Sequence, residues 1–119
     1  MKSRILMTGF LFGLIHSEST LSAMTYGAGL SMSCGEYVAA AKAGEFEPFT
    51  ILGNSWILGY VSGYSAAAEI TQASAQPLAK LKASDPSALT LWVQNYCTQN
   101  PLAQLHEAAF KLIRALAGL

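Results

Sequence analysis

The chain has 119 residues, 52% of them hydrophobic and 12% charged, with seven basic and seven acidic residues that cancel. That composition excludes a disordered chain, and the length sets one domain as the ceiling. Beyond the N-terminal segment only Lys80 and Lys82 lie close together as cations, which excludes nucleic acid as a partner, since a duplex-binding surface needs a broad basic patch.

In chain order, Lys2 and Arg4 precede an apolar run from Ile5 to Ile15, too short to span a bilayer comfortably. The small polar stretch His16 to Ala23 follows. This reads as a secretory signal peptide over 1–23, cut after Ala23 or, as second choice, after Ser22; a retained anchor or a first core helix is the alternative. The remainder carries five basic and six acidic residues, a net charge of −1. Residues 24–32 (MTYGAGLSM) are glycine-rich and aperiodic, which predicts a flexible lead-in, with the helical domain over 33–119.

Ser33 and Glu36 fit a capping box and Gly44 a helix stop, so a first helix is expected over Cys34 to Ala43. After a turn at Glu45 to Pro48, Phe49 to Ala68 carry no charge. Their polar residues and the four-residue rhythm of Trp56, Tyr60 and Tyr64 point to a buried central helix and not a membrane span. Gly59 and Gly63 form a G-x-x-x-G spacing, which predicts close helix packing there. Residues 70–84 read as a helix end and a loop, with room for one further turn near Leu78 to Leu81. Asp85-Pro86 starts a helix expected over Pro86 to Thr98, and Asn100-Pro101 carries the same signal for a last helix reaching Ala117. The apolar stripe of that last helix is expected to comprise Leu102, Leu105, Ala109, Leu112, Ile113 and Leu116. The predicted fold is therefore all-α: a single small four-helix domain with one disulfide, after a cleaved signal peptide.

Cys34 and Cys97 are the two cysteines, separated by 63 residues. An even count in an exported chain favours a disulfide between them. With His106 they make three candidate metal ligands, but no local C-x-x-C or H-x-x-x-H pair supplies chelating spacing. No metal or cofactor is expected. His106 is the one histidine after the signal segment, no G-x-S-x-G elbow accompanies it, and the carboxylates are scattered, so no catalytic residue is assigned and the chain is read as a non-enzyme. The conspicuous feature is aromatic: Trp56, Tyr60, Tyr64, Trp92 and Tyr96 are the candidate partner-binding residues, should the domain fail to bury them all.

The segments SCGEYVAA (33–40), SWILGYVSGY (55–64) and LWVQNYCTQNPLAQLHEAAFKLI (91–113) resemble the layout of the HdeA/HdeB acid-stress chaperones, small periplasmic helical proteins with a cysteine opening the first core helix and a second before the last helix. The resemblance implies a periplasmic protein that binds unfolded clients once acid loosens its packing. A second resemblance, to the Rap1a/Tai immunity proteins, rests on Gly59-Tyr60-Val61 with Gly63, then Tyr96 and Pro101 leading to Leu105, His106 and Ala109. It implies one cognate toxin, a cell-wall amidase, as partner. A structural subunit of an envelope assembly is a third reading. Candidate partners are thus unfolded clients, one cognate protein, or a second copy of the chain in a homodimer.

Overall fold

The computed structural model describes residues 26–71 and 84–118. The expected signal peptide (1–23) and the expected loop turn at Leu78 to Leu81 lie outside the described residues. Those residues form five helices, one more than expected: α1 (Ala28–Ser31), α2 (Cys34–Ala43), α3 (Pro48–Ile70), α4 (Pro86–Gln99) and α5 (Leu105–Ala117). The fold is all-α with one disulfide, Cys34–Cys97, joining α2 to α4.

Each long helix begins where a side chain can accept free backbone amides. In α2, Ser33 Oγ accepts from Glu36 N at 3.1 Å while Glu36 Oε2 accepts from Ser33 N at 2.8 Å. Gly44, at φ +140°, ends that helix and donates to Ala40 O. Glu47 Oε2 accepts from Phe49 N at 2.8 Å and Thr50 N at 3.1 Å, with Pro48 opening α3. Asp85 Oδ1 accepts from Ser87 N at 3.0 Å ahead of α4, and Glu107 Oε2 accepts from Gln104 N at 2.7 Å at the start of α5.

Two expectations about element limits are corrected. The segment read as a flexible lead-in over 24–32 is folded from Tyr26 onward: Ala28–Ser31 makes one helical turn, with Ala28, Gly29 and Met32 buried. Glycine explains this, because Gly27 adopts φ +75° and Gly29 lets the backbone pass beneath the indole of Trp56. The Trp56 Nε1–H then donates to Tyr26 O at 2.7 Å. The last helix, in turn, does not begin at Asn100-Pro101 but at Leu105. The intervening backbone serves another strand of chain: Cys34 N donates to Ala103 O at 2.8 Å, Gly35 N to Pro101 O at 2.9 Å and Leu105 N to Met32 O at 3.0 Å. Ser33 and Gln104 face each other there as an isolated antiparallel bridge. Leu102, expected on the apolar stripe, is 94% exposed in that turn.

The core lies between α2, α3, α4 and α5, with Tyr37, Ile57, Val93, Leu105 and Leu112 essentially inaccessible to solvent. Burying each of the aliphatic members stabilises the fold by about 1.5–3 kcal/mol. The disulfide is fully buried within this layer, beside the Met32–Gly35 and Pro101–Leu105 pairing. Tyr37 also donates its hydroxyl to Asn54 Oδ1, joining α2 to α3. Burial pushes the Tyr37 phenol up, an effect that Gln94 partly opposes.

Candidate functional site

The expected partner-binding aromatics sit at the margin of the core. Trp56, Tyr60, Tyr64, Trp92 and Tyr96 are all half-buried and pack against buried side chains. Within α3, Trp56 and Tyr60 stack with ring centroids 5.1 Å apart, and within α4 Trp92 and Tyr96 do so at 5.8 Å. Trp56 is committed to the fold through Gly29 and Tyr26. Burial raises the Tyr60 phenol.

The close packing expected at Gly59 and Gly63 is corrected. A Cβ on either glycine meets nothing within 4 Å among the described residues, so no helix presses on this stripe. Instead the two glycines help to floor an open apolar trough of about 410 Å³ with Tyr60, Tyr64, Phe110 and Ile113. The glycines where a Cβ would come within 3.0 Å of a neighbour are Gly29 and Gly53; at Gly53 it would lie 2.6 Å from the Tyr37 ring. Neither belongs to a spaced motif, so the sequence offered no signal for them.

His106 is half-buried and its Nδ1 donates to Gly29 O at 2.9 Å, tying α5 to α1. That contact gives it a structural partner. The cysteines are joined to each other, and among the described residues no three of His, Cys, Asp and Glu gather as metal ligands.

What the fold leaves open to a partner is mainly aliphatic and phenyl surface that the aromatic pattern did not single out. A groove of about 420 Å³ runs between the end of α1, one face of α2 and the start of α3. Its apolar lining includes Met32, Ala39, Ala40 and Ala43, where short side chains on α2 leave depth, together with Phe49 and Leu52. Phe49 is 59% and Leu52 50% exposed, although both are large and apolar. Phe46, in the turn between two lining residues, is 82% exposed. Glu36 and Glu47, the carboxylates that start α2 and α3, line the same groove. Leu52 could have been found from sequence, since the rhythm of Trp56, Tyr60 and Tyr64 extends back to it by four residues.

No protein-family model, curated protein or solved structure matches the chain.

Proposed function

We propose that this chain is an exported, non-enzymatic helical protein that binds other proteins through apolar surface, acting as an acid-responsive chaperone of the kind its HdeA/HdeB resemblance implies. The observation that carries this reading is the use of carboxylates at every long helix: Glu36, Glu47, Asp85 and Glu107 each accept backbone amides at the start of one. Four of the six acidic residues beyond residue 23 are thus spent on holding helix ends.

Acid neutralises carboxylates and removes both the charged acceptor and its attraction to the positive end of the helix dipole. The formal charge after residue 23 moves from −1 toward +6 as the acids and His106 take up protons. The Cys34–Cys97 bond does not titrate, so the chain stays cross-linked while its helices loosen. Phe46, Phe49 and Leu52, already exposed at neutral pH, would be joined by half-buried aromatics as client-binding surface. The disulfide and the lack of any helix, among the described residues, long and apolar enough to cross a membrane are compatible with an exported protein, and the periplasm is the compartment proposed.

The test is circular dichroism with a hydrophobic dye on the oxidised protein at neutral pH and near pH 2, alongside aggregation of an acid-labile client. Retained helix, lost aromatic signal, new dye binding and suppressed aggregation are expected. A rigid fold that binds no dye and protects no client in acid would sink the chaperone reading.

A second reading, a preformed inhibitor of the type the Rap1a/Tai likeness implies, is favoured by one observation: the groove at Met32, Phe49 and Leu52 is open in the folded chain. It predicts a stoichiometric partner at neutral pH and no gain on acidification.

A further inference from the structure

We infer that the groove between α1, α2 and the start of α3 is a docking site for a partner-protein segment that carries bulky apolar side chains beside lysine or arginine. This rests on the protein-binding reading above and specifies the chemistry of the partner.

The apolar half of the argument is depth and exposure. Ala39, Ala40 and Ala43 leave room between α2 and α3, and Phe49 and Leu52 stand half-exposed on the other side with nothing of this chain's described residues to cover them. A volume of about 420 Å³ accepts large side chains and not merely solvent.

The charged half is an imbalance. Among the described residues the groove is lined by two carboxylates, Glu36 and Glu47, and by no lysine or arginine. Each carboxylate spends Oε2 on its helix cap, and among the described residues neither Oε1 accepts a hydrogen bond. Lys42, the one cation of α2, lines a different depression with Val38, Ala41 and Gln94. Two negative charges beside an apolar floor, each with an oxygen that no described residue engages, favour an incoming cation and penalise an acidic segment. The same charges disfavour nucleic acid and anionic lipid as occupants.

The experiment uses fluorescence anisotropy of two labelled short peptides at neutral pH with the oxidised protein. Both peptides carry the same leucines and phenylalanines; one is flanked by Lys and Arg, the other by Glu at those positions. The basic peptide should bind about tenfold more tightly than the acidic one, the size expected for two partly exposed ion pairs. Leu52→Lys, an exposed change, should abolish that binding while the helical spectrum stays intact. Glu36→Gln combined with Glu47→Gln keeps acceptors at both helix starts but removes the charge, and should bring the two peptides to within about twofold of each other.

Equal affinity of the two peptides for the unaltered protein overturns the inference, as does a preference that survives the double glutamine variant. Concentration-dependent self-association abolished by Leu52→Lys would overturn it too, by naming a second copy as the occupant. If neither peptide binds while clients are still captured in acid, this inference fails and the chaperone reading stands. If the basic peptide binds as described but acid yields no client capture, the chaperone reading fails and the docking site stands.

Discussion

Gly29 and the indole of Trp56 occupy adjoining space so closely that a Cβ on Gly29 would fall 2.0 Å from Trp56 Cζ2. The contact joins α1 to the middle of α3, and the hydrogen bond from Trp56 to Tyr26 O holds it in register. Gly29→Ala must move either the indole or α1, and is expected to destabilise the protein by about 2–3 kcal/mol. Gly59→Ala and Gly63→Ala should do the reverse. Each lies inside α3 with open space at the Cβ position, so alanine raises helix propensity and should stabilise by roughly 0.5–1 kcal/mol. Urea unfolding of the three oxidised variants checks both signs in one series.

Reducing Cys34–Cys97 restores freedom to a loop with a 63-residue separation. The chain-entropy account sets the loss at about 4 kcal/mol, against a total of about 5–15 kcal/mol for an ordinary domain. Thermal unfolding with and without a reductant should show a large drop in midpoint, reversed on reoxidation.

Glu36 is held below the ordinary carboxylate range, first by the backbone N–H of Ser33 and then by its hydroxyl. Because the folded chain favours the ionised form, this contribution is fully present above the unfolded-state value and is lost as pH falls through the lowered folded-state value. Stability should therefore decline across the acid limb. Glu36→Gln, which can still accept from Ser33 N but without the charge, should be modestly less stable at neutral pH and show a shallower limb, so that variant and parent converge in acid. Urea midpoints measured at intervals from neutral pH into acid read this directly.

Thr50 is 2% exposed and its hydroxyl has no hydrogen-bond partner among the described residues. Thr50→Val keeps the branched shape and removes the unpaired group, and should stabilise the protein by about 1 kcal/mol. A destabilised valine variant in the same urea series would contradict this.

Two helix starts were readable from local signals in the sequence. Ser33 with Glu36, and Asp85 with Pro86, begin α2 and α4 at the expected residues, because a cap needs only neighbours within a turn. Asn100-Pro101 carries the same local signal but starts no helix, since the amides and carbonyls around it are claimed by Met32 to Gly35 from the far side of the domain. No short-range pattern encodes that pairing.

The candidate surface shows the same limit. G-x-x-x-G states that two small residues share a stripe but not whether anything lies opposite, and at Gly59 and Gly63 none of the described residues comes within 4 Å of a Cβ. The aromatic rhythm of α3 extends back to Leu52, yet Trp56 is occupied by α1, leaving Phe49 and Leu52 as the more exposed members near the helix start. Whether an apolar side chain ends inside or outside depends on which neighbour reaches it, and α1 was not legible as a helix at all.

The pairing of Met32–Gly35 with Pro101–Leu105 also sets an order of events for a chain that emerges from its N-terminus. The amides of Cys34 and Gly35 have no partner carbonyls until Ala103 and Pro101 have been delivered, and Met32 O waits for Leu105 N. The first half of the domain can make its helical turns early but cannot close. Completion is postponed until Pro101 to Leu105 have been made, beyond α4, which makes the segment leading into α5 the trigger for closure.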